Sequence, residues 1–97
     1  MTVRQTETFY DWIKALKDKQ AQARVNVRIR RLTLGNPGDS HGVGEGVSEL
    51  RIDYGPGYRV YYTRRGEELV ILLAGGDKST QARDIETAKA LARELED

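Results

Sequence analysis

The sequence predicts an α+β fold with the element order βααβββα, in which an antiparallel sheet packs against an N-terminal helical hairpin and a C-terminal helix. Three observations carry this prediction. Residues 47–78 contain three strand-like runs joined by two tight turns, and residues 9–34 and 80–95 both repeat apolar side chains at helical spacing. A chain of 97 residues has the usual length of one domain, so residues 1–97 are expected to form a single domain.

One short strand and two helices are predicted at the N-terminus. The strand covers residues 3–6, and Thr6 or Thr8 can cap the first helix. Apolar residues in that helix recur at the spacing i, i+3, i+4, i+7: Phe9, Trp12, Ile13 and Leu16. The second helix, at residues 21–34, places its apolar residues on one stripe: Val25, Ile29 and Leu32. Residues 35–46 hold five of the ten glycines and predict a mobile loop.

The first hairpin decides which side chains face the core. Residues 47–54 alternate between apolar and polar side chains, as in a half-buried strand, and residues 55–57 form the turn. A two-residue loop would pair Ile52 with Tyr61 and bury the arginines of this hairpin. We therefore expect a three-residue loop, which pairs Ile52 with Val60. The core face then holds Leu50, Ile52, Val60 and Tyr62, and the opposite face holds Arg51, Asp53, Arg59 and Tyr61.

The remaining elements are a central strand and a final helix. Residues 69–74 are continuously apolar, which predicts a strand covered on both faces and ended by Gly75 and Gly76. Ser79 or Thr80 is expected to cap the final helix. Its buried stripe is expected to hold Ile85, Ala88, Leu91, Ala92 and Leu95.

The composition excludes several classes of protein. Hydrophobic residues make up 38% of the chain and charged residues 32%, which is typical of a folded rather than a disordered protein. The absence of cysteine excludes disulfides, and with a single histidine it argues against a structural zinc site, so we expect no metal and no cofactor. No apolar run approaches a membrane span and no signal peptide opens the chain, so a cytoplasmic location without membrane contact is expected.

Charge is distributed unevenly along the sequence. Residues 1–40 hold eight Lys and Arg against four Asp and Glu, a balance of +4, whereas residues 67–97 hold four against eight, a balance of −4. A basic N-terminal segment and an acidic C-terminal segment suggest that one side of the molecule faces a polyanion.

Arg51 and Arg59 form the sharpest candidate site, because like charges on adjacent strands are destabilising unless something compensates them. Asp53 offers partial neutralisation, so a structural ion pair is one interpretation. The other is a phosphate-binding platform, since a guanidinium group binds phosphate through two parallel hydrogen bonds. Tyr61 on the same face would stack a nucleic-acid base or donate a hydrogen bond.

Lys78 lies just before a predicted helix, where the helix dipole disfavours a cation. Such placement indicates a functional residue, and the helix N-terminus beside it is itself suited to anions. The alternative is that Asp77 neutralises Lys78 and that the side chain simply points to water. Three arginines on one face of the second helix are candidates for a solvated surface or for a secondary nucleic-acid contact: Arg24, Arg28 and Arg31.

Acid–base chemistry has three further candidates in the sequence. His41 lies in the glycine-rich segment and titrates near neutral pH when unperturbed. Glu45 and Glu49 are candidates for a general base. A solvated side chain is the usual role of such residues and is the alternative for each of them. The sequence contains no nucleophile elbow, P-loop or metal-binding motif.

These residues give the chain a family resemblance. The run ELRIDYGPGYRVYY…LVILLAGGDKSTQARDIETA, together with the element order, resembles the RelE/ParE superfamily of bacterial type II toxins, and most closely its HigB-like "addiction module killer protein" branch. The resemblance covers almost the whole chain, and its most specific parts are GPGYRVYY and GGDKSTQ-x-x-DI.

The resemblance implies a toxin that cleaves mRNA on the ribosome and so inhibits translation, with a cognate antitoxin that is often a helix-turn-helix protein. Arg51 matches a basic residue on the family's second strand, Arg59 the arginine of the R-V-x-Y motif, and Lys78 the basic position after the fourth strand. These cations would grip the scissile phosphate and stabilise its developing charge without a metal ion. Attack by the 2′-OH of the RNA would leave a cyclic phosphate or 3′-phosphate end.

The chain departs from the family pattern at one point. Several family nucleases carry a tyrosine or histidine near the C-terminus, whereas this chain has neither after Lys78, and Gln81 is the nearest polar substitute. Acid–base work would then fall to Tyr61, His41, a glutamate or Lys78. Two other functions therefore stay open: a ParE-like toxin that inhibits DNA gyrase by binding, and a non-catalytic binding module.

Overall fold

In the computed structural model, which describes residues 1–95, the chain forms five strands, three α-helices and one 3₁₀ turn. In chain order these elements are β1 (Thr2–Gln5), α1 (Glu7–Ala15), α2 (Lys19–Thr33), β2 (Ser40–Gly44), β3 (Val47–Ile52), β4 (Tyr58–Arg65), β5 (Leu69–Asp77), the 3₁₀ turn (Lys78–Thr80) and α3 (Gln81–Glu94). Among the described helices, none is both long enough and apolar enough to cross a membrane.

The strands form a single sheet in the spatial order β1-β5-β4-β3-β2. The predicted α+β class is confirmed, but two details differ from the prediction. The sheet is mixed, because β1 runs parallel to β5 while all the other neighbours are antiparallel. The expected glycine-rich loop contains the strand β2, since its backbone pairs with β3 and places His41 opposite Glu49.

Helices cover both faces of the sheet and create two cores. The first core lies between the sheet and the helical hairpin of α1 and α2, and its buried residues are Phe9, Val25, Leu32, Leu50, Ile52, Val60, Tyr62, Val70 and Leu72. The second lies beneath α3 and contains Val47, Tyr61, Ile71, Leu73, Ala74, Ala88 and Ala92. Strand β5 lies between β1 and β4 and contributes to both cores, as the apolar run predicts. Leu95, expected in the buried stripe of the final helix, is 39% exposed.

The β3–β4 hairpin has a longer loop than predicted. Ile52 pairs with Tyr58 rather than with Val60, so five residues rather than three connect the strands. The loop is closed by a hydrogen bond of 3.1 Å from the Gly57 amide to the Tyr54 carbonyl. Because the register differs from the prediction by two residues, every side chain keeps its predicted face. The prediction was therefore wrong in register and correct in orientation.

Gly75 and Gly76 do not end the strand, which continues to Asp77. A Cβ atom at Gly75 would lie 2.1 Å from Cε3 of Trp12, and one at Gly76 would lie 1.9 Å from Oδ2 of Asp84. The two glycines therefore allow α1 and α3 to approach the sheet closely from opposite faces. Their role is close packing within the strand rather than a turn.

Candidate functional site

Three cations singled out in the sequence line one cleft of about 300 Å³: Arg51, Arg59 and Lys78. The hairpin register places Arg51 directly opposite Arg59. Pairing between the start of β4 and the end of β5 brings Lys78 beside the hairpin loop, where a Cβ atom at Gly57 would lie 3.6 Å from the Lys78 side chain. The remaining residues that line the cleft are Asp39, Ile52, Asp53, Gly57 and Tyr58.

A buried carboxylate, that of Glu49, joins the two arginines. Its Oε1 atom accepts hydrogen bonds from Nε of Arg51 at 2.7 Å and from a terminal nitrogen of Arg59 at 3.3 Å. Its Oε2 atom accepts a bond of 2.7 Å from the side-chain amide of Gln81, on α3. Glu49 is 1% exposed, so it is the fixed centre of this network. The neutralising role considered for Asp53 belongs to Glu49, because Asp53 lies beyond the end of β3.

The network keeps Glu49 ionised. Burial alone would raise the pKa of Glu49, but hydrogen bonds from Arg51 and Gln81 and the nearby charge of Arg59 hold its net pKa below the ordinary value of 4.5. A carboxylate with both oxygens occupied and a lowered pKa is a poor proton acceptor at neutral pH. Glu49 therefore positions the arginines, and its predicted candidacy as a general base is not supported.

Arg59 is not the outward-facing residue that strand alternation predicts. Helix α3 covers this face of the sheet, and Arg59 is only 9% exposed. Its Nε atom is buried without a hydrogen-bond partner among the described residues. Arg51 differs, because 43% of its side chain is exposed. Of the three cations, Arg51 and Lys78 are therefore the ones that solvent reaches readily.

The expectation that Tyr61 stacks a base is wrong for this conformation, because its side chain is completely buried beneath α3. Its hydroxyl makes no hydrogen bond of ordinary geometry with the described residues. Burial, followed by the negative charges of Glu49 and Asp84, raises the pKa of Tyr61 far above its usual value. Tyr61 is thus excluded from direct acid–base work at neutral pH.

Lys78 opens the 3₁₀ turn that precedes α3 and is exposed. The carboxylate of Asp77 caps this turn by accepting hydrogen bonds from the Ser79 hydroxyl and, at 2.8 Å, from the Ser79 amide, and these bonds lower the pKa of Asp77. Within residues 1–95, no ion pair holds the ammonium group of Lys78. The alternative in which Asp77 neutralises Lys78 through an ion pair is therefore not what the structure contains.

His41 lies on β2 near the cleft, and its Nε2 atom is 2.8 Å from Oδ1 of Asp39. Both side chains are more than half exposed, and Asp39 itself lines the cleft. The sequence analysis named His41 but missed Asp39. No pattern in the sequence marks this pair, because Asp39 precedes β2 and both residues belong to the segment that the sequence predicts as a glycine-rich loop.

The other candidates have structural partners. Glu45 binds Arg93 through both carboxylate oxygens, at 3.0 and 3.1 Å, and this ion pair ties the β2–β3 turn to α3. Arg28 donates to the carbonyls of Arg51, Pro37 and Asp39, so it supports the wall of the cleft from behind. The guanidinium group of Arg24 lies 4.5 Å from the centre of the Tyr54 ring, and Arg31 is exposed. The predicted row of arginines is therefore partly committed to the protein itself.

Comparison with known proteins relates the chain to a phage-derived family. A family model described as "Phage derived protein Gp49-like (DUF891)" matches residues 11–95. An uncharacterized protein of Haemophilus influenzae is 54% identical over 93 residues, which cover 96% of this chain and 94% of that protein.

In the part of the chain that the structure describes, no group of three or more His, Asp or Glu side chains is placed to hold a metal ion.

Proposed function

The chain belongs to the phage-derived Gp49-like family, which is part of the RelE/HigB-like toxin superfamily, and from this premise we propose that it is the toxin of a type II toxin–antitoxin system and acts as a ribosome-dependent mRNA endoribonuclease. Membership of the family is consistent with a toxin of such a module. The proposal includes the HigB-like branch, a cognate antitoxin and the ribosome as partners.

The observation that supports this proposal best is the convergence of Arg51, Arg59 and Lys78 on one cleft. Arg51 uses its Nε atom for Glu49, and no hydrogen bond to a described residue occupies its terminal nitrogens. Those nitrogens are therefore available to a phosphate oxygen, as is the ammonium group of Lys78. Arg59, held from below by Glu49, adds fixed positive charge beneath the bound phosphate.

Cleavage follows from this arrangement if the RNA supplies the nucleophile. The 2′-OH attacks the adjacent phosphorus, the bond from phosphorus to the 5′ oxygen breaks, and the products carry a 2′,3′-cyclic phosphate and a 5′-OH. Negative charge develops on the phosphate oxygens during attack, where the three cations stabilise it. DNA lacks the 2′-OH and is not cut by this route.

Proton transfer is assigned to two exposed groups: Lys78, which lines the cleft, and His41, which contacts the cleft residue Asp39. His41, oriented by Asp39, accepts the proton of the 2′-OH, since an imidazole nitrogen is a common general base in enzymes. Lys78 lines the same cleft, and its ammonium group donates a proton to the leaving 5′ oxygen, which departs as the 5′-OH. Glu49 and Tyr61 take no proton, because one is held by three donors and the other is buried.

Cell-free translation with purified protein tests the proposal. We expect loss of translated mRNA, cuts within codons, and cyclic phosphate or 3′-phosphate ends, all of which disappear with Arg51→Ala. Intact mRNA accompanied by gyrase-linked DNA breaks would instead support a gyrase inhibitor. Intact mRNA and intact DNA would leave a non-catalytic binding module.

A further inference from the structure

A second and larger cavity, of about 500 Å³, adjoins the cleft of Arg51, Arg59 and Lys78. It is lined by residues of α2, among them Val27 and three arginines, and by Ile52 and Asp53 at the end of β3. Ile52 and Asp53 also line the cleft, so the two cavities meet at these residues. A ligand that occupies both cavities therefore passes Asp53.

Asp53 is a carboxylate without a partner in strongly cationic surroundings. Six arginine and lysine residues line the two cavities, yet no ion pair or hydrogen bond joins the Asp53 side chain to any residue that the structure describes. The other carboxylate of the cleft differs, because Asp39 holds His41 at 2.8 Å. The turn after Asp53 is closed by backbone amides, those of Tyr54 and Gly57, so Asp53 does not cap it. Its oxygens are therefore free to accept hydrogen bonds from a ligand.

The chemistry of a carboxylate indicates which part of an RNA Asp53 meets. A carboxylate repels a phosphate group, and it accepts hydrogen bonds at both oxygens without donating any. The Watson–Crick edge of guanine carries two adjacent donors, N1–H and the N2 amino group, which match these two oxygens. Adenine, cytosine and uracil each carry an acceptor next to the donor on that edge, and this acceptor would face a carboxylate oxygen. Asp53 is thus complementary to guanine among the four bases.

The larger cavity offers suitable surfaces to an unstacked base. Val27 is 48% exposed and provides apolar contact for a ring face. Guanidinium planes stack on bases in RNA complexes, and the ring of Tyr54 already positions that of Arg24 at 4.5 Å. Because one sugar joins a base to its phosphate, a nucleotide with its phosphate in the cleft has its base close to Asp53.

We propose that Asp53 selects the base next to the scissile phosphate and that this base is guanine, an inference that rests on the proposed endoribonuclease function for the identity of the substrate. The base occupies the larger cavity and donates two hydrogen bonds to Asp53, while the adjoining phosphate binds Arg51 and Lys78. Asp53 takes no part in bond breaking. It determines which nucleotide is held at the site of cleavage.

Four nucleoside 3′,5′-bisphosphates test this inference in the absence of ribosomes. Each carries phosphate on both sides of its sugar, so it can place one in the cleft whichever side of the base is cut. In NMR titrations we expect guanosine bisphosphate to bind about fivefold or more tightly than the other three, with shift changes at Asp53 and Val27. Asp53→Asn presents one acceptor and one donor, the pattern that pairs with adenine. It is expected to lower the ratio of guanosine to adenosine affinity by about tenfold.

The ratio of two affinities is the readout, because loss of a negative charge strengthens the binding of every bisphosphate. Asp11→Asn is the matched control, since Asp11 is an exposed residue of α1 that lines neither cavity, and it is expected to keep the wild-type ratio. Arg51→Ala is expected to weaken the binding of all four compounds equally, which separates phosphate binding from the choice of base.

Three results would each overturn the inference: equal binding of the four bisphosphates, binding of none of them at millimolar concentration, or a wild-type ratio in Asp53→Asn. Cleavage of mRNA does not enter this measurement. A guanine preference in a protein that does not cut translated mRNA would therefore contradict the endoribonuclease proposal and leave the base site in place.

Discussion

Arg59 and Glu49, on neighbouring strands, form an ion pair of 3.3 Å beneath α3, where Arg59 is 9% exposed and Glu49 is 1% exposed. This pair explains how two arginines can lie directly opposite each other in the sheet. Glu49 also binds Arg51 and Gln81, so one carboxylate holds two cations of the cleft and the first turn of α3. The cleft is thus open to solvent, and a buried ion pair between Arg59 and Glu49 lies beneath it.

Glu49→Gln is expected to lower the free energy of unfolding by about 3 kcal/mol, because it leaves the buried charge of Arg59 without its counter-ion. Urea unfolding of the two proteins measures the difference. A loss below about 1 kcal/mol, the range of exposed ion pairs, would mean that Glu49 does not support the site.

Glu49→Gln is also expected to remove a pH-dependent contribution to the free energy of unfolding. The pKa of Glu49 in the folded protein lies below its ordinary value of 4.5, so its stabilising contribution is complete above pH 4.5 and is lost as the pH falls through the folded-state pKa. The difference in unfolding free energy between wild type and Glu49→Gln should therefore be constant above pH 4.5 and shrink below it. A difference that stays constant down to pH 2 would contradict the ionised network.

Gly75→Ala is expected to destabilise the protein by about 1–3 kcal/mol, because the new methyl group collides with the ring of Trp12. Gly42→Ala is the matched control. Its Cβ would meet no atom within 4 Å, so its effect should stay within about 0.5 kcal/mol. Thermal unfolding measures the melting temperatures of both variants. Equal melting temperatures would show that α1 does not pack closely on β5.

Leu72→Ala is expected to cost about 2–5 kcal/mol, since Leu72 is 3% exposed on the central strand and its truncation leaves a cavity. Leu34→Ala, at a side chain that is 76% exposed, should change stability by no more than about 0.5 kcal/mol. Chemical denaturation compares the two. Similar losses at both positions would place Leu72 outside the core.

Local patterns predicted the parts of the fold that local physics determines. The apolar run from residue 69 to residue 74 marked the central strand, and the spacing of Val25 and Leu32 marked the buried stripe of α2. The face of each residue in the β3–β4 hairpin was also predictable, because alternation survives a register change of two.

Pairing between distant segments was not predictable in the same way. Strand β2 has a glycine-rich sequence with little strand preference, and it exists because β3 offers it a free edge. The parallel contact of β1 with β5 likewise depends on segments separated by most of the chain. Alternation marks Glu49, Arg59 and Tyr61 as one face but does not tell whether that face meets water, and α3 covers it.

The cleft of Arg51, Arg59 and Lys78 is tested most directly by the rate of mRNA cleavage on purified ribosomes under single-turnover conditions. Arg51→Ala and Lys78→Ala are each expected to slow cleavage by about 100-fold, because each removes a cation that stabilises charge on the reacting phosphate. Arg64→Ala, at an exposed arginine of β4 that lines neither cavity, is expected to cleave at the wild-type rate. Wild-type rates for Arg51→Ala and Lys78→Ala would contradict the assignment of this cleft as the phosphate site.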